Sequence, residues 1–260
     1  MITITMAGFG ARFAAAGYTV PKYRIEVLGR PLFDWSMLAL SAFRESGWDF
    51  AFAVRAAEQA GDFITARCRH LGIPIRHILE LPGPTDGQAT TAYLLAELAP
   101  ADVPFAVFNI DTFVRPGAMT PRDIPEDCHG WVPCFPGEGE GWSFVRLDEA
   151  ERAVELREKK RISSHATLGL YWFKSAELYR DAYQRYFSGG GEEKGERYIA
   201  PLYNQLIADG LGVRITTIEV GDVGLLGTPE QVRVFRTHPP KSAQELGRPH
   251  LCQPGNESGT

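Results

Sequence analysis

Strand-like and helix-like runs alternate through the first half of the chain. Positions 1–6 form a short run rich in β-branched residues that ends in Ala7-Gly8-Phe9-Gly10, a strand running into a glycine loop. Phe33, Met37, Leu38 and Leu40 fall at helical spacing within 33–43. The run 50–54 reads as a strand, 57–71 as a helix broken around Gly61, and 75–81, directly after Pro74, as a second strand. Thr85 or Asp86 is placed to cap a helix over 87–98. The mostly apolar run 105–110 suits a strand buried in a parallel sheet. This β-α-β-α-β order predicts an α/β fold of three α/β/α layers, an open, mostly parallel (mixed) sheet with helices on both faces.

The second half changes character. The short runs 131–135, 143–147, 153–157 and 168–173 predict a meander attached to the main sheet. Two helices, 175–187 and 199–209, flank Ser188-Gly189-Gly190-Gly191, the composition of a mobile loop. A late strand is expected over 213–219, and Pro229 suits the first turn of a last helix. From His238 onward the sequence is polar and contains Pro and Gly, so 238–260 is expected to be a loose tail. No linker or internal repeat divides 1–237, which is expected to be a single domain.

Composition removes several classes of function. The 260 residues are 44% hydrophobic and 23% charged, enough to bury a sizeable core. The formal net charge of −5 excludes a strongly basic nucleic-acid binder. No run of about 18 apolar residues is present to span a membrane, and the N-terminus lacks the pattern of a signal peptide. Neither nucleic acid nor membrane is therefore an expected partner; a homo-oligomer is compatible with the sequence. The four cysteines do not form a disulfide framework, so the cytoplasm is the expected location. Cys128-His129 and Cys134 lack the spacing and ligand count of a zinc site and read as packing residues, as do Trp131, Trp142 and Trp172.

Candidate chemistry begins at the glycine loop. Backbone N–H groups in Ala7-Gly8-Phe9-Gly10 can approach phosphates closely, although two glycines are equally what a structural turn shows. Phe13 stands where the dinucleotide fingerprint needs a third glycine, and the Gly-Lys-Ser/Thr of a phosphate loop is absent. Arg12 and Lys22 follow, a guanidinium and an ammonium able to meet one triphosphate. Gly8-x-Gly10-x-Arg12, Pro21-Lys22 and Ile25-x-Val27-x-Gly29-x-Pro31-Leu32 resemble the sugar-phosphate nucleotidyltransferase (nucleoside-diphosphate-sugar pyrophosphorylase) family. So do Asn109-Ile110-Asp111, Glu158-Lys159, Leu168-Gly169-Leu170-Tyr171, the stretch from Glu196 to Asn204, and Gly227-Thr228-Pro229-Glu230. The marks run in family order over 2–235, about nine-tenths of the chain.

The resemblance implies a Rossmann-like, GT-A-type nucleotidyltransferase fold. It also implies transfer of a nucleoside monophosphate from an NTP to a phosphorylated small-molecule acceptor, a sugar 1-phosphate above all, with Mg²⁺ as cofactor and pyrophosphate as leaving group. By carry-over, Arg12 holds the β- and γ-phosphates, Lys22 stabilises the α-phosphate, and Asp111 ligates the metal. The backbone of Ala7, Gly8, Phe9 and Gly10 cradles the nucleotide. Gly87 and Gln88 meet the base, where the Gln88 amide offers both a donor and an acceptor. Glu158, Lys159, Gly169, Glu196, Arg197 and Asn204 are acceptor-side candidates.

Two departures stand out. Tyr23-Arg24 replaces the usual Pro-Leu after the lysine, which places an extra cation, Arg24, beside the reactive site. Leu225 occupies the position of a second metal aspartate, leaving Asp222 as a substitute ligand. These departures keep other acceptors open, including a non-sugar phosphate or a phosphonate served by a cytidylyltransferase-like enzyme. They also leave open a non-catalytic nucleotide-binding module. A glycosyltransferase of the same layered fold is disfavoured by the Arg12–Lys22 pair, because a nucleotide sugar has no γ-phosphate to hold.

Overall fold

The computed structural model describes residues 1–192 and 195–247. Its central sheet has ten strands. The parallel half has the spatial order Phe105–Asn109, Ile2–Thr5, Phe50–Arg55, Ile75–Leu81. Leu170–Phe173 lies antiparallel beside Phe105–Asn109 and joins it to Gly130–Pro136. His165–Thr167, Ser143–Leu147 and Ala153–Glu158 continue the sheet to its far edge, so the expected meander is continuous with it. Val213–Thr217 pairs parallel with Gly130–Pro136. Leu170–Phe173, His165–Thr167 and Ala153–Glu158 run against the other strands, which makes the sheet mixed but mostly parallel, as expected.

The pleat sends alternate residues to opposite faces. Phe105 and Val107 pack with Ala89, Ala92 and Ala96 of the helix Gln88–Ala96 and with Tyr179 and Tyr183 of the helix Ala176–Ser188. Ala106 and Phe108 pack on the other side with Phe33 and Met37 of Leu32–Leu38 and with Ile64 and Cys68 of Gly61–Leu71. With both faces covered, a strand has no solvent side, and that is why 105–110 reads as an apolar run.

A third cluster joins Phe13, Trp35, Phe113, Leu226, Phe235 and Ala243. It packs the short helix after the glycine loop against the C-terminal helices. Thr228 caps Pro229–Thr237 through its hydroxyl, which accepts from the Gln231 N–H at 3.2 Å. This is not the last helix. Lys241–Leu246 follows it, Ala243 is fully buried, and Arg30 donates to the Leu246 carbonyl at 3.1 Å. The expected end of order near 237 is therefore too early: Ala243, the partly buried Leu246 and one hydrogen-bonded carbonyl dock this polar helix. Residues 248–260 of the expected tail, Cys252 included, lie outside the described residues.

Candidate active site

The strands deliver the chemistry to one edge of the sheet. Ile2–Thr5 stands between Phe105–Asn109 and Phe50–Arg55, and the order of connections reverses there. Ligands bind open α/β sheets at such a point, beyond the carboxyl ends of the strands. The glycine loop follows Ile2–Thr5, and Asp111 lies two residues past Phe105–Asn109. Gly10 takes φ 60° and caps the helix Ala11–Ala15, a left-handed conformation that glycine adopts without strain.

Lys22 and Asp111 meet at the centre, with Nζ 3.3 Å from Oδ2. The lobe expected to take the nucleotide is lined by Ala7, Gly8, Phe9, Gly87, Gln88 and Glu196. A second lobe opens on the other side, lined by Arg12, Asp111, Glu158, Lys159, Gly169 and Tyr171. Gln88 donates through Nε2 to Thr5 Oγ1 at 2.9 Å and to Asn109 Oδ1. Its amide nitrogen is thereby committed to the protein. Arg12 is exposed and bonds to no other described side chain.

The acceptor-side lobe is held from below. Ser143 donates to Glu158, and the Tyr171 hydroxyl sits 3.2 Å from Ser143 Oγ and 3.0 Å from Thr167 Oγ1. Burial pushes the Tyr171 phenol well above its ordinary range, with the Glu158 charge adding to the rise, so Tyr171 is a neutral hydrogen-bonding group. Lys159 has φ 49°, uncommon for a residue with a side chain. Its N–H donates to the Trp142 carbonyl at 2.9 Å, and its Nζ donates to the Tyr198 hydroxyl at 2.5 Å.

Several expectations need correction. Neither Thr85 nor Asp86 caps the helix Gln88–Ala96; Gly87 does, at φ 150°. A Cβ there would lie 2.4 Å from the backbone N and O of Arg197, so the cap is closed by backbone. Arg197 is not in the acceptor lobe. Its guanidinium binds Asp86, Glu192 and the Tyr183 hydroxyl, behind the base loop. Glu196 lines the nucleotide lobe instead of the acceptor lobe. Asn204 is tied to the backbone of Leu156 at 2.9 Å in both directions. Arg24 turns away from Lys22, with its guanidinium 5.0 Å from the Phe63 ring and donating to the Gln59 carbonyl.

Asp222 cannot join Asp111 on one metal. The pairing of Leu225 with Thr112, and of the Leu226 N–H with the Asp111 carbonyl, puts Asp222 four residues down the strand. That is about 13 Å, and Arg115 holds its carboxylate at 2.9 Å. Among the described residues no three His, Cys, Asp or Glu side chains converge on a metal position. Thr5, Ser143 and Gln231 complete the lobes without having been singled out from the sequence, and Asn109, Tyr198 and Thr228 do so from within stretches quoted there only as marks of the resemblance.

No protein-family model matches the chain, and no curated protein does. Among solved structures, the nucleoside-diphosphate-sugar pyrophosphorylase from Vibrio cholerae RC9 is 37% identical, with a TM-score of 0.84 over 91% of this chain and 100% of that one. The inositol-1-phosphate CTP transferase from T. maritima shares the fold at 17% identity and a TM-score of 0.69, covering 88% of this chain and 90% of its own. So does the UDP-glucose pyrophosphorylase from Acinetobacter baumanii, at 15% identity and 0.66, over 94% and 96%. Likeness of 37% identity, held across nine-tenths of the sequence and across the strands that carry the cleft, makes this chain a member of the nucleoside-diphosphate-sugar pyrophosphorylase family.

Proposed function

We propose that the protein transfers a nucleoside monophosphate from an NTP to a sugar 1-phosphate, releasing pyrophosphate and leaving a nucleotide-activated sugar. The observation that carries this reading is the position of Lys22 and Asp111, at the junction between a lobe built from a glycine loop and a lobe built around Glu158-Lys159. A phosphate oxygen of the acceptor attacks the α-phosphorus. The bond from that phosphorus to the oxygen bridging to the β-phosphate breaks, and pyrophosphate carries the electron pair away.

Two anions meet in this step, so charge neutralisation and alignment dominate it. Lys22 stabilises charge on the α-phosphoryl oxygens. Lys159 grips the acceptor phosphate, its backbone and ammonium both fixed by hydrogen bonds. Glu158 accepts from acceptor hydroxyls, and the glycine loop supports the nucleotide through backbone N–H groups. The Gln88 oxygen meets a donor on the base.

Asp111 fits a Mg²⁺ ion of the kind bound by one carboxylate and completed by substrate phosphates and water. When bound, the ion supplies Lewis-acid stabilisation of the phosphoryl oxygens. Lys22 shares that carboxylate in the structure described here. The missing second aspartate favours this one-carboxylate mode. Calorimetric titration with each NTP and with nucleotide sugars, with and without Mg²⁺, tests the reading. An NTP is expected to bind with a Mg²⁺ dependence that Asp111→Asn removes. Binding of nucleotide sugars but of no NTP contradicts it and favours a glycosyltransferase.

A further inference from the structure

Arg55 takes no part in the chemistry proposed above, yet it is built into the same edge of the sheet. It ends the strand Phe50–Arg55, which pairs with Ile2–Thr5 in the register Thr5↔Ala53. It therefore stands one strand over from the glycine loop. Asp111 and the acceptor lobe lie on the opposite side, beyond Phe105–Asn109 and Leu170–Phe173. The Arg55 guanidinium lies 4.5 Å from the centroid of Phe9, and it lines a separate hollow with Gly8, Phe9, Thr19, Lys22 and its own partner Glu58, two cations to one carboxylate. Gly8, Phe9 and Lys22 also line the nucleotide lobe, so the two hollows meet at Lys22.

The side chain is positioned, not loose. One Arg55 nitrogen donates to Glu58, and the second oxygen of that carboxylate accepts from the Tyr23 hydroxyl at 2.7 Å. Burial, with Glu58 adding to it, holds the Tyr23 phenol protonated far above its ordinary range. The unusual residue after Lys22 thereby gains a positioning role, since Tyr23 fixes Glu58 and Glu58 fixes Arg55. The Arg55 Nε is buried and has no acceptor among the described residues.

An in-line displacement needs the leaving group on the far side of the phosphorus from the attacking oxygen. The acceptor enters from the Glu158-Lys159 side, so pyrophosphate leaves toward the hollow of Arg55. Arg12, the cation that the resemblance assigns to the β- and γ-phosphates, is exposed and also borders the acceptor-side lobe, and Arg55 offers a second guanidinium on the leaving-group side. A guanidinium fork matches phosphate oxygens in pairs. We propose that Arg55 binds the β- and γ-phosphates of the NTP and the pyrophosphate they become, in the hollow between Phe9 and Lys22. The assignment rests on the nucleotidyltransferase reading.

The test is calorimetric titration of the wild type, Arg55→Met and Arg55→Lys with three probes. These are inorganic pyrophosphate, the NTP that the wild type binds, and the matching NMP. Loss of a charge-assisted contact predicts that Arg55→Met weakens pyrophosphate and NTP binding by about tenfold or more. NMP binding stays within about twofold, because an NMP has no β-phosphate. Arg55→Lys, which keeps the charge and not the fork, falls between; it also carries the test if the methionine variant does not fold. Wild-type pyrophosphate and NTP affinities in both variants, or parallel losses for NMP, overturn the assignment. A wild-type protein that binds none of the three probes overturns the nucleotidyltransferase reading itself.

Discussion

Gly87→Ala tests whether the base loop is set by backbone packing. Gly87 has φ 150°, and an added Cβ would meet the Arg197 backbone N and O at 2.4 Å and its carbonyl carbon at 2.9 Å. Ordinary contact needs roughly an ångström more, so the segment carrying Arg197 has to withdraw. Two hydrogen bonds close that contact: the Arg197 N–H donates to the Asp86 carbonyl, and the Ala89 N–H to the Arg197 carbonyl, both at 2.9 Å. Each is worth about 1 kcal/mol, and the strained φ adds about 1–3 kcal/mol. The total is about 3–5 kcal/mol. Withdrawal is resisted from behind, where the Tyr183 hydroxyl bonds both Arg197 Nη1 and Thr90 Oγ1, at 2.9 and 2.7 Å. If the fold absorbs the strain, the melting temperature falls by about 6–20 °C, at about 2–4 °C per kcal/mol for a domain near this size. If the loop absorbs it, Gln88 and Glu196 shift and NTP affinity falls by about tenfold or more. Differential scanning calorimetry and nucleotide titration together distinguish the two. Gly83→Ala is the control, since nothing lies within 4 Å of a Cβ there. A Gly87→Ala protein that melts and binds NTP like the wild type would show that contact with the Arg197 backbone does not set this loop.

Other expectations follow from single contacts. Asp111→Asn should reduce turnover by about a hundredfold or more, the scale of losing one electrostatic group in a transition state; a rate near wild type removes Asp111 from the reaction. Arg67→Met strands the fully buried Asp34 carboxylate, which Arg67 binds through Nε at 2.8 Å and through Nη2. The cost should be about 3–5 kcal/mol by denaturant unfolding at pH 7. An unfolding free energy within about 1 kcal/mol of the wild type contradicts this. Burial pushes the Cys68 and Cys128 thiols up to about 12 and about 11, and that of Cys134 higher still. All three should resist alkylation at pH 8 in the native protein and react once it is denatured, as peptide mapping would read; fast native labelling of any one contradicts its placement.

The parallel half of the sheet was legible because burial on two faces leaves apolar runs such as Phe105 to Phe108. His165–Thr167 was not, since three residues behind Ser163-Ser164 carry too short a pattern, and only pairing with Gly130–Pro136 and Ser143–Leu147 defines the strand. Lys241–Leu246 escaped for a similar reason: its composition is that of a tail, and only Ala243 and the partly buried Leu246 dock it. In the site, the glycine loop, Lys22, Asp111 and the Glu158-Lys159 turn, each placed by its own local chain, come to one cleft as expected of their positions, their roles resting on the proposal. Side chains whose direction depends on a distant partner were not legible. Arg197 pairs by backbone with Asp86 and Ala89, and that pairing sends its guanidinium behind the base loop while Glu196 and Tyr198 face the cleft. Arg24 and Asp222 are drawn off by Phe63 and Arg115 in the same way.

The central claim is that one cleft brings an NTP and a phosphorylated acceptor together at Lys22 and Asp111. Pyrophosphate release by the purified protein, across the NTPs and a panel of sugar 1-phosphates, other phosphate esters and phosphonates with Mg²⁺, tests it most directly. One NTP–acceptor pair should yield pyrophosphate and a nucleotide-activated product in one-to-one ratio by mass spectrometry, with both lost in Asp111→Asn. Tight NTP binding with no pyrophosphate release from any pair would contradict it and leave a nucleotide-binding module in its place.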